Sequence, residues 1–268
     1  VRPLVPADPH DLVVRLREAG VRLPRWPFDL AGLLITALFL GRWGLLAGAA
    51  GAPGVVWLAA RDRAARSVVI MYDVNDEAAR RYADIVQAVT ALRQAAGLWQ
   101  VTEMTEAWTA YQSRLNAGAS VLLHRHPATV TTDGPWQLVT NVTVPALVAG
   151  RRAVYFLPDR ILVQEGNALA AFPYQMLEVS AEPIRFIERG PAPEDGEIVD
   201  TTWRFVAPDG GPDPRLSYNR SLPVLRYGRL TLRTDHGLRL MWDVSRPALA
   251  DAAARALAAA ATARPPTV

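Results

Sequence analysis

A long stretch with almost no charge dominates the pattern of apolar and polar positions near the N-terminus. Residues 30–41 carry no charged side chain, and residues 43–60 carry none either. As a helix the second run would be about 27 Å long, close to the thickness of a bilayer core, whereas the first would reach only about 18 Å. The pattern predicts a membrane-associated segment over residues 28–60, preceded by a cytoplasmic segment over residues 1–27.

Tryptophan and arginine residues mark the ends of this segment. Trp26 precedes it, Trp57 lies near its end and Arg61 follows at once, as aromatic and basic residues do at membrane interfaces. The residues predicted to contact the membrane are the large apolar ones, namely Leu33, Leu34, Leu38, Phe39, Trp43, Leu45, Leu46, Val55, Val56 and Trp57.

Three arrangements of this segment stay open. The first is a single tilted span over about residues 41–60, the second is a helical hairpin that turns near residues 41–44, and the third is a hairpin buried in a soluble core. Arginines lie on both flanks, and the positive-inside tendency then places both ends in the cytoplasm, which favours the membrane hairpin. Two full crossings would need about 40 residues, and only about 31 are present.

The chain after Arg66 has the pattern of a water-soluble domain, predicted over residues 67–264. Residues 67–104 predict a strand, a helix and a second strand. The helix follows a cluster of carboxylates and carries apolar residues at three- and four-residue spacing, namely Tyr82, Ile85, Val86, Val89 and Leu92. No glycine-rich turn links the first strand to this helix, so a dinucleotide phosphate would find no backbone cradle.

Short apolar runs separated by Pro, Gly, Asn and Asp predict an antiparallel β region over residues 119–244. Gly166 and Gly237 lie in two of its tight connections. A C-terminal helix is predicted over residues 246–262, with Ser245 as its N-cap. The predicted fold class is therefore α+β, with an N-terminal hydrophobic hairpin or single span followed by a mixed domain whose antiparallel sheet is closed by a C-terminal helix.

Composition narrows the chemistry. The 268-residue chain is 50% hydrophobic, enough for a sizeable core, and it contains no cysteine, which excludes disulfides, thiolate metal sites and a cysteine nucleophile. All 29 basic residues are arginine, so Schiff-base and P-loop chemistry are excluded as well. A net charge of +3 is too balanced to indicate nucleic-acid binding. No cofactor is expected.

Four arginines within residues 199–226 form the most promising functional block, namely Arg204, Arg215, Arg220 and Arg226. Guanidinium groups bind carboxylate or phosphate bidentately, so we expect Arg204, Arg215, Asn219 and Arg220 to bind an anionic ligand or partner. The alternative is that Asp200, Asp209 and Asp213 pair with the same arginines and clasp a long loop in place.

Other chemistry has weaker support. His124 and His126 provide half of a zinc site with no identifiable partners. No Gly-x-Ser-x-Gly elbow is present, and we name no catalytic residue. A hydrolase that uses the aspartates and arginines of residues 199–226 stays an alternative to a protein without enzymatic activity.

Three blocks of sequence stand out when they are considered together. They are NAGAS at residues 116–120, VYFLPDRILV at residues 154–163, and VDTTWRFVAPDGGPDPRLSYNRSLPV at residues 199–224. They resemble the shared blocks of an uncharacterised bacterial membrane-associated family, over about residues 55–245. In that family hydrophobic segments precede a strand, an acidic turn and a mixed domain; the resemblance implies membrane-proximal architecture and supplies no reaction.

A second resemblance concerns the fold. A small antiparallel sheet closed by a C-terminal helix is similar to pleckstrin-homology-like domains, and the run at residues 155–179 looks like their first hairpin. Bacterial domains of this kind commonly follow membrane segments. Together these features predict an interaction or scaffold protein anchored in the cytoplasmic membrane and facing the cytoplasm, or an accessory subunit of a larger membrane complex. Its expected partners are membrane lipids and proteins, not nucleic acid.

Overall fold

The structure is a computed structural model, and it describes residues 30–31, 35, 53–61, 68–72, 76–106, 121–207, 209–215 and 218–263. The chain divides into two compact units. The first consists of Val1–Tyr72, Gly134–Val142 and Asn167–Leu169, and the second consists of Asp73–Asp133, Thr143–Gly166 and Ala170–Val268.

The described part of the first unit contains helical residues 53–61 and a small parallel ladder. The ladder joins β1 (Val68–Ile70) to β5 (Leu138–Thr140). Asn141 completes it, because its side-chain amide accepts a hydrogen bond from the backbone N–H of Tyr72 and donates one to the backbone carbonyl of Tyr72, both at 3.0 Å.

Two helices pack together in the second unit. Helix α1 (Asp76–Ala91) continues into a 3₁₀ turn at Leu92–Gln94, and helix α2 (Pro247–Thr262) ends the described chain. The apolar periodicity has most of its predicted effect, since Tyr82, Ile85, Val89 and Leu92 are buried. The fifth periodic residue, Val86, is half-buried.

Two antiparallel sheets make up the rest of this unit. The first has the strand order β10-β12-β13-β2-β3, and a further strand, β11, also pairs with β12. Its strands are β2 (Leu98–Glu106), β3 (Val121–Pro127), β10 (Glu178–Ile187), β11 (Glu197–Trp203), β12 (Ser221–Arg233) and β13 (Arg239–Val244).

The second sheet has the order β4-β6-β7-β8-β9. Its strands are β4 (Thr129–Thr131), β6 (Ala146–Ala149), β7 (Arg152–Phe156), β8 (Arg160–Glu165) and β9 (Ala168–Pro173), and a 3₁₀ turn, Tyr174–Met176, follows. The turn between β8 and β9 contains Gly166 at φ +59°, as the predicted tight hairpin requires. The α+β class, the mostly antiparallel sheets and the C-terminal helix are confirmed.

Helix α2 packs on β10 and β12 through small side chains. Its buried residues are Ala250, Ala253, Ala254, Leu257 and Ala260, and Gly228 of β12 lies directly beneath the start of the helix. A methyl group added at Gly228 would come within 2.7 Å of the Cα of Pro247. The alanine-rich composition of α2 is therefore its packing surface.

The predicted N-cap of α2 is wrong. The cap residue is Arg246, which makes no side-chain capping bond, whereas the hydroxyl of Ser245 accepts a hydrogen bond from the backbone N–H of Gly97 at 3.0 Å. The backbone N–H of Ser245 donates in turn to the carbonyl of Gly97 at 2.9 Å. Ser245 thus fixes the start of β2 beside the end of β13, because a buried polar group needs a partner wherever the fold supplies one.

Candidate anion-binding site

Three arginines lie at the same end of three adjacent strands, and we call them the arginine end: Arg189, Arg204 and Arg220. Arg204 follows β11 and Arg220 precedes β12, and their backbones pair, with the N–H of Arg204 donating to the carbonyl of Arg220 at 3.0 Å. Arg189 follows β10, and its carbonyl accepts a hydrogen bond from Nη2 of Arg220 at 3.0 Å. The ladders of β10 and β11 with β12 therefore bring these residues together.

The loop between β11 and β12 is held by groups other than guanidinium. The side chain of Asn219 accepts a hydrogen bond from the backbone N–H of Phe205 at 3.0 Å and donates one to its carbonyl at 2.7 Å. Asp209 accepts from the N–H of Gly211, and Asp213 accepts from the N–H of Arg215. These are local side-chain turns of the kind that aspartate favours, so the loop keeps its shape without its arginine side chains.

A bridge and a glycine complete this loop. Val206 pairs with Pro212, and the N–H of Ala207 donates to the carbonyl of Gly211 at 2.8 Å. Gly210 has φ +87°, a backbone conformation that side-chain-bearing residues rarely adopt. The predicted site residue Asn219 is therefore a structural residue of the loop.

The other predicted site residues are exposed. Arg204, Arg215 and Arg220 all point to solvent, and among the described residues none of them forms an ion pair with a carboxylate. Arg204 stacks on its neighbour Phe205, with 5.3 Å from Cζ to the ring centroid. Ion pairs between aspartates and these arginines therefore do not hold the described part of the loop, because the carboxylates bind other groups.

The carboxylates of the block are each occupied elsewhere. Asp200 pairs with Arg185 of β10 at 2.5 Å, and the fourth arginine of the block, Arg226, pairs with Glu197 of β11 at 3.3 Å. The backbone N–H of Thr201 and the guanidinium of Arg185 lower the pKa of Asp200 below its ordinary value. Arg204 and Arg220 thus differ from Arg226, because neither forms an ion pair with a carboxylate among the described residues.

A buried cluster centred on Arg125 lies in the same unit. One of its members, Glu188, directly precedes Arg189 in the chain. Nη2 of Arg125 donates to Oε2 of Glu188 at 2.5 Å, and the hydroxyl of Tyr227 donates to the same oxygen at 3.0 Å. The guanidinium also lies against aromatic rings, with Cζ 4.2 Å from the centroid of Trp99 and 3.8 Å from that of Phe186. Cation–π contacts of this kind strengthen as the cation loses water.

Burial changes the titration of this cluster. Glu188 is 7% exposed and Tyr227 is fully buried. Burial first, and then the charge of Glu188, raise the pKa of Tyr227 well above its ordinary value. Below strongly alkaline pH the phenol therefore stays protonated and donates its hydrogen bond to Glu188. The residue that follows Glu188 is Arg189, so the cluster fixes the chain just before the arginine end.

Sequence reasoning missed Arg125. In the triplet at residues 124–126, the sequence pointed to the two histidines as possible metal ligands. Alternation along β3 places Arg125 on the opposite face from His124 and His126, both of which are exposed. Among the described residues no group of three metal-ligating side chains lies together. One sequence signal could have identified Arg125. It lies between two histidines in the predicted β region, so in a strand it faces the side of the sheet opposite to theirs.

A groove of about 380 Å³ lies in the same unit. It is lined by the segment from Leu92 to Trp99 and by the segment from Pro127 to Val130. None of the predicted site residues lines it, so the groove and the arginine end are separate features.

Most predicted membrane-contacting residues lie outside the described residues: Leu33, Leu34, Leu38, Phe39, Trp43, Leu45 and Leu46. The remaining three lie in helical residues 53–61, where Val55 is half-buried, Val56 is 67% exposed and Trp57 is 58% exposed. Arg61 lies over the ring of Trp57 at 5.2 Å. Across the described part of the chain, no helix has both the length and the apolar character that a membrane crossing requires.

Comparison with known proteins adds no relative. No family model, no curated protein and no solved structure matches this chain.

Proposed function

We propose that this protein is a membrane-associated binding protein whose second unit binds an anionic ligand through the arginine end. The observation that carries the proposal is the pair Arg204 and Arg220, two exposed guanidinium groups on neighbouring backbones with no carboxylate partner among the described residues. Two or more such groups suit a ligand that carries carboxylate or phosphate, since each can donate two parallel hydrogen bonds.

The order of the surrounding loop supports this use. Asn219 holds the backbone of Phe205, and the aspartate turns order residues 209–215, so the guanidinium groups of Arg204 and Arg215 are attached beside an arranged backbone. A binding surface arranged before the ligand arrives loses less conformational entropy on binding. Arg215 extends from the same loop and is the third exposed charge that the ligand could reach.

Membrane association rests on the first unit. Its described residues have exposed apolar side chains, with Val56 and Trp57 more than half exposed, and large exposed apolar patches mark interaction or membrane surfaces. The resemblance to a membrane-associated family and to pleckstrin-homology-like domains belongs with this proposal. The cytoplasmic orientation is part of it, because arginines flank the apolar segment on both sides.

The hydrolase alternative gains no support from the described geometry. Asp200 is engaged by Arg185, while Asp209 and Asp213 accept backbone hydrogen bonds within their own turns. A hydrolytic pair of carboxylates would instead face a common reacting position. We therefore place binding ahead of catalysis for this block.

The test uses the full chain reconstituted in zwitterionic vesicles and titrated with two probes, inorganic pyrophosphate and hexaglutamate. We expect at least one probe to bind, with an affinity that falls as salt is raised, and the double variant Arg204→Ala/Arg220→Ala to bind it at least about tenfold more weakly. Arg226→Ala, which removes a paired arginine from the same block, is the matched control. Equal loss in both variants, or no binding of either probe, would refute the proposal.

A further inference from the structure

Exposed apolar side chains are concentrated in the first unit. Among the described residues, eleven large apolar side chains are exposed, and eight of them belong to the first unit: Ile35, Val56, Trp57, Leu58, Val69, Met71, Trp136 and Val139. Yet that unit supplies only about one sixth of the described residues. Single exposed apolar residues are ordinary, whereas a concentration of this kind marks a surface that another body covers.

Four of these eight side chains lie on or beside the small parallel ladder, outside the predicted membrane segment. Val69 and Val139 are directly paired across the ladder, and they are 58% and 46% exposed. Met71 follows Val69 at a spacing of two and is 56% exposed, and Trp136 is 47% exposed. Val69 and Val139 therefore lie side by side on the ladder, and Met71 directly follows the end of β1.

Charge is almost absent from this surface. Residues 68–72 and 134–142 contain no charged side chain, and Arg61 is the one charged residue among the described residues of the first unit. The chain as a whole is 21% charged. A charge-free face with an exposed tryptophan has the composition of a surface at the membrane-water interface, and it belongs to the same unit as the apolar segment for which membrane contact is proposed.

We infer that the β1–β5 ladder lies against the lipid bilayer, so that the first unit contacts the membrane through Val69, Met71, Trp136 and Val139 in addition to helical residues 53–61. The inference rests on the proposed membrane association and extends it to a segment that comes some seventy residues later in the chain. It makes the folded unit a membrane-contacting surface, and not a domain attached by a flexible tether.

The ladder also sets the depth of contact. Among the described residues, no further strand pairs with the outer edges of β1 and β5, and the hydrocarbon core does not tolerate unpaired backbone N–H and C=O groups. Asn141 satisfies both backbone groups of Tyr72, and the N–H of Val68 donates to the carbonyl of Gln137 at 2.6 Å, yet the outer edges need water or headgroups. The ladder therefore lies at the headgroup level, where tryptophan is also favoured.

Site-specific labelling tests this inference cleanly, because the chain contains no cysteine. Single variants Val69→Cys and Val139→Cys are labelled with an environment-sensitive fluorophore in the otherwise unchanged full chain, reconstituted in vesicles. Val56→Cys, in helical residues 53–61, is the reference for membrane contact. Ala259→Cys, on an exposed position of α2, is the reference for water.

We expect the emission at positions 69 and 139 to shift to shorter wavelength in vesicles. Lipids brominated close to the headgroup should quench it more than lipids brominated near the bilayer centre, and position 259 should show neither effect. If position 56 reports lipid while 69 and 139 report water, the ladder inference is wrong and the membrane association stands. If position 56 also reports water, both are wrong.

One further outcome is decisive. Blue-shifted emission at positions 69 and 139 that brominated lipids do not quench would mean that protein covers the ladder, which would also overturn the inference. A fluorophore at Met71→Cys, an exposed position directly after β1, repeats the measurement if either valine variant fails to fold.

Discussion

Arg125 and Glu188 join the two opposite edges of the six-stranded sheet by an ion pair of 2.5 Å. Arg125 lies on β3 and Glu188 directly follows β10, the first and last strands of the order β10-β12-β13-β2-β3. β13 ends at Val244, which pairs with Gly228, whereas residues 221–226 of β12, which precede Gly228, pair with β11. There the ring of Tyr227 lies 5.4 Å from that of Trp99 on β2. The sheet therefore curls so that its two edge strands approach each other, and Arg125 lies where they meet.

Removing Arg125 should strongly destabilise the protein. In Arg125→Met, the carboxylate of Glu188 would stay buried with Tyr227 as its one described donor, and an uncompensated buried charge costs about 3–5 kcal/mol. Urea denaturation of the full chain measures the free energy of unfolding. Arg185→Met is the matched control, because Arg185 and Asp200 form an exposed pair on the same sheet and such pairs contribute about 0–1 kcal/mol. Similar losses in the two variants would contradict the role of Arg125.

Gly228 should tolerate no side chain. Its Cβ would lie 2.7 Å from the Cα of Pro247 and 2.8 Å from the Cβ of Ala250, so α2 would have to move away from β12. Gly228→Ala is expected to cost about 1–3 kcal/mol through overpacking and to lower the melting temperature. Gly190→Ala, whose added carbon would meet nothing closer than 3.8 Å, should melt close to the wild type. A stable Gly228→Ala variant would show that α2 packs differently.

Stability should fall at alkaline pH through tyrosine alone. The chain contains no lysine and no cysteine, so tyrosines are the side chains that titrate near pH 10. Burial raises the pKa of Tyr82 and Tyr227 above 10.0 in the folded state. Their contribution is therefore complete below pH 10 and is lost as pH rises through the folded-state values, because the unfolded chain releases those protons first.

The expected slope is about 1.4 kcal/mol per pH unit for each such tyrosine. Denaturation of wild type and Tyr227→Phe at several pH values above 10 measures it, and the variant should show the smaller slope, since phenylalanine has no proton to release. Equal slopes in the two proteins would show that Tyr227 titrates alike in the folded and unfolded states.

Local signals in the sequence were enough for the helices and the tight turns. Residues 247–262 form the C-terminal helix within the predicted bounds of 246–262, and four of the five periodic residues predicted for the first helix are buried. Gly166 adopts the positive φ that a tight turn favours. Each of these features depends on residues within one or two turns of each other, which a linear pattern contains.

Long-range pairing was beyond the reach of those signals. The sequence predicts an antiparallel β region over residues 119–244 without a strand order, whereas β12 begins at Ser221 and pairs with both β10 and β11. Its early half contains Pro223 and Arg226, which obscure the strand pattern. Likewise Ser245 bonds to Gly97, 148 residues away, and no local pattern distinguishes that partner from a helix cap.

The candidate site, too, was predictable from the sequence only in part. Sequence reasoning identified the arginine block, because guanidinium groups clustered within a short span are visible in one dimension. It could not tell Arg226, which pairs with Glu197 across a ladder, from Arg220, which has no carboxylate partner among the described residues. That distinction depends on strand register, which the block itself does not encode.

Melting and binding measured on one variant, Arg220→Ala, test the central claim most directly. We predict that the variant melts close to the wild type, because it loses one exposed hydrogen bond to the carbonyl of Arg189. It should bind the pyrophosphate or hexaglutamate probe more weakly by about 1–3 kcal/mol, the scale of a charge-assisted hydrogen bond. A large fall in melting temperature, with unchanged probe affinity per folded molecule, would contradict the account and make Arg220 a structural residue.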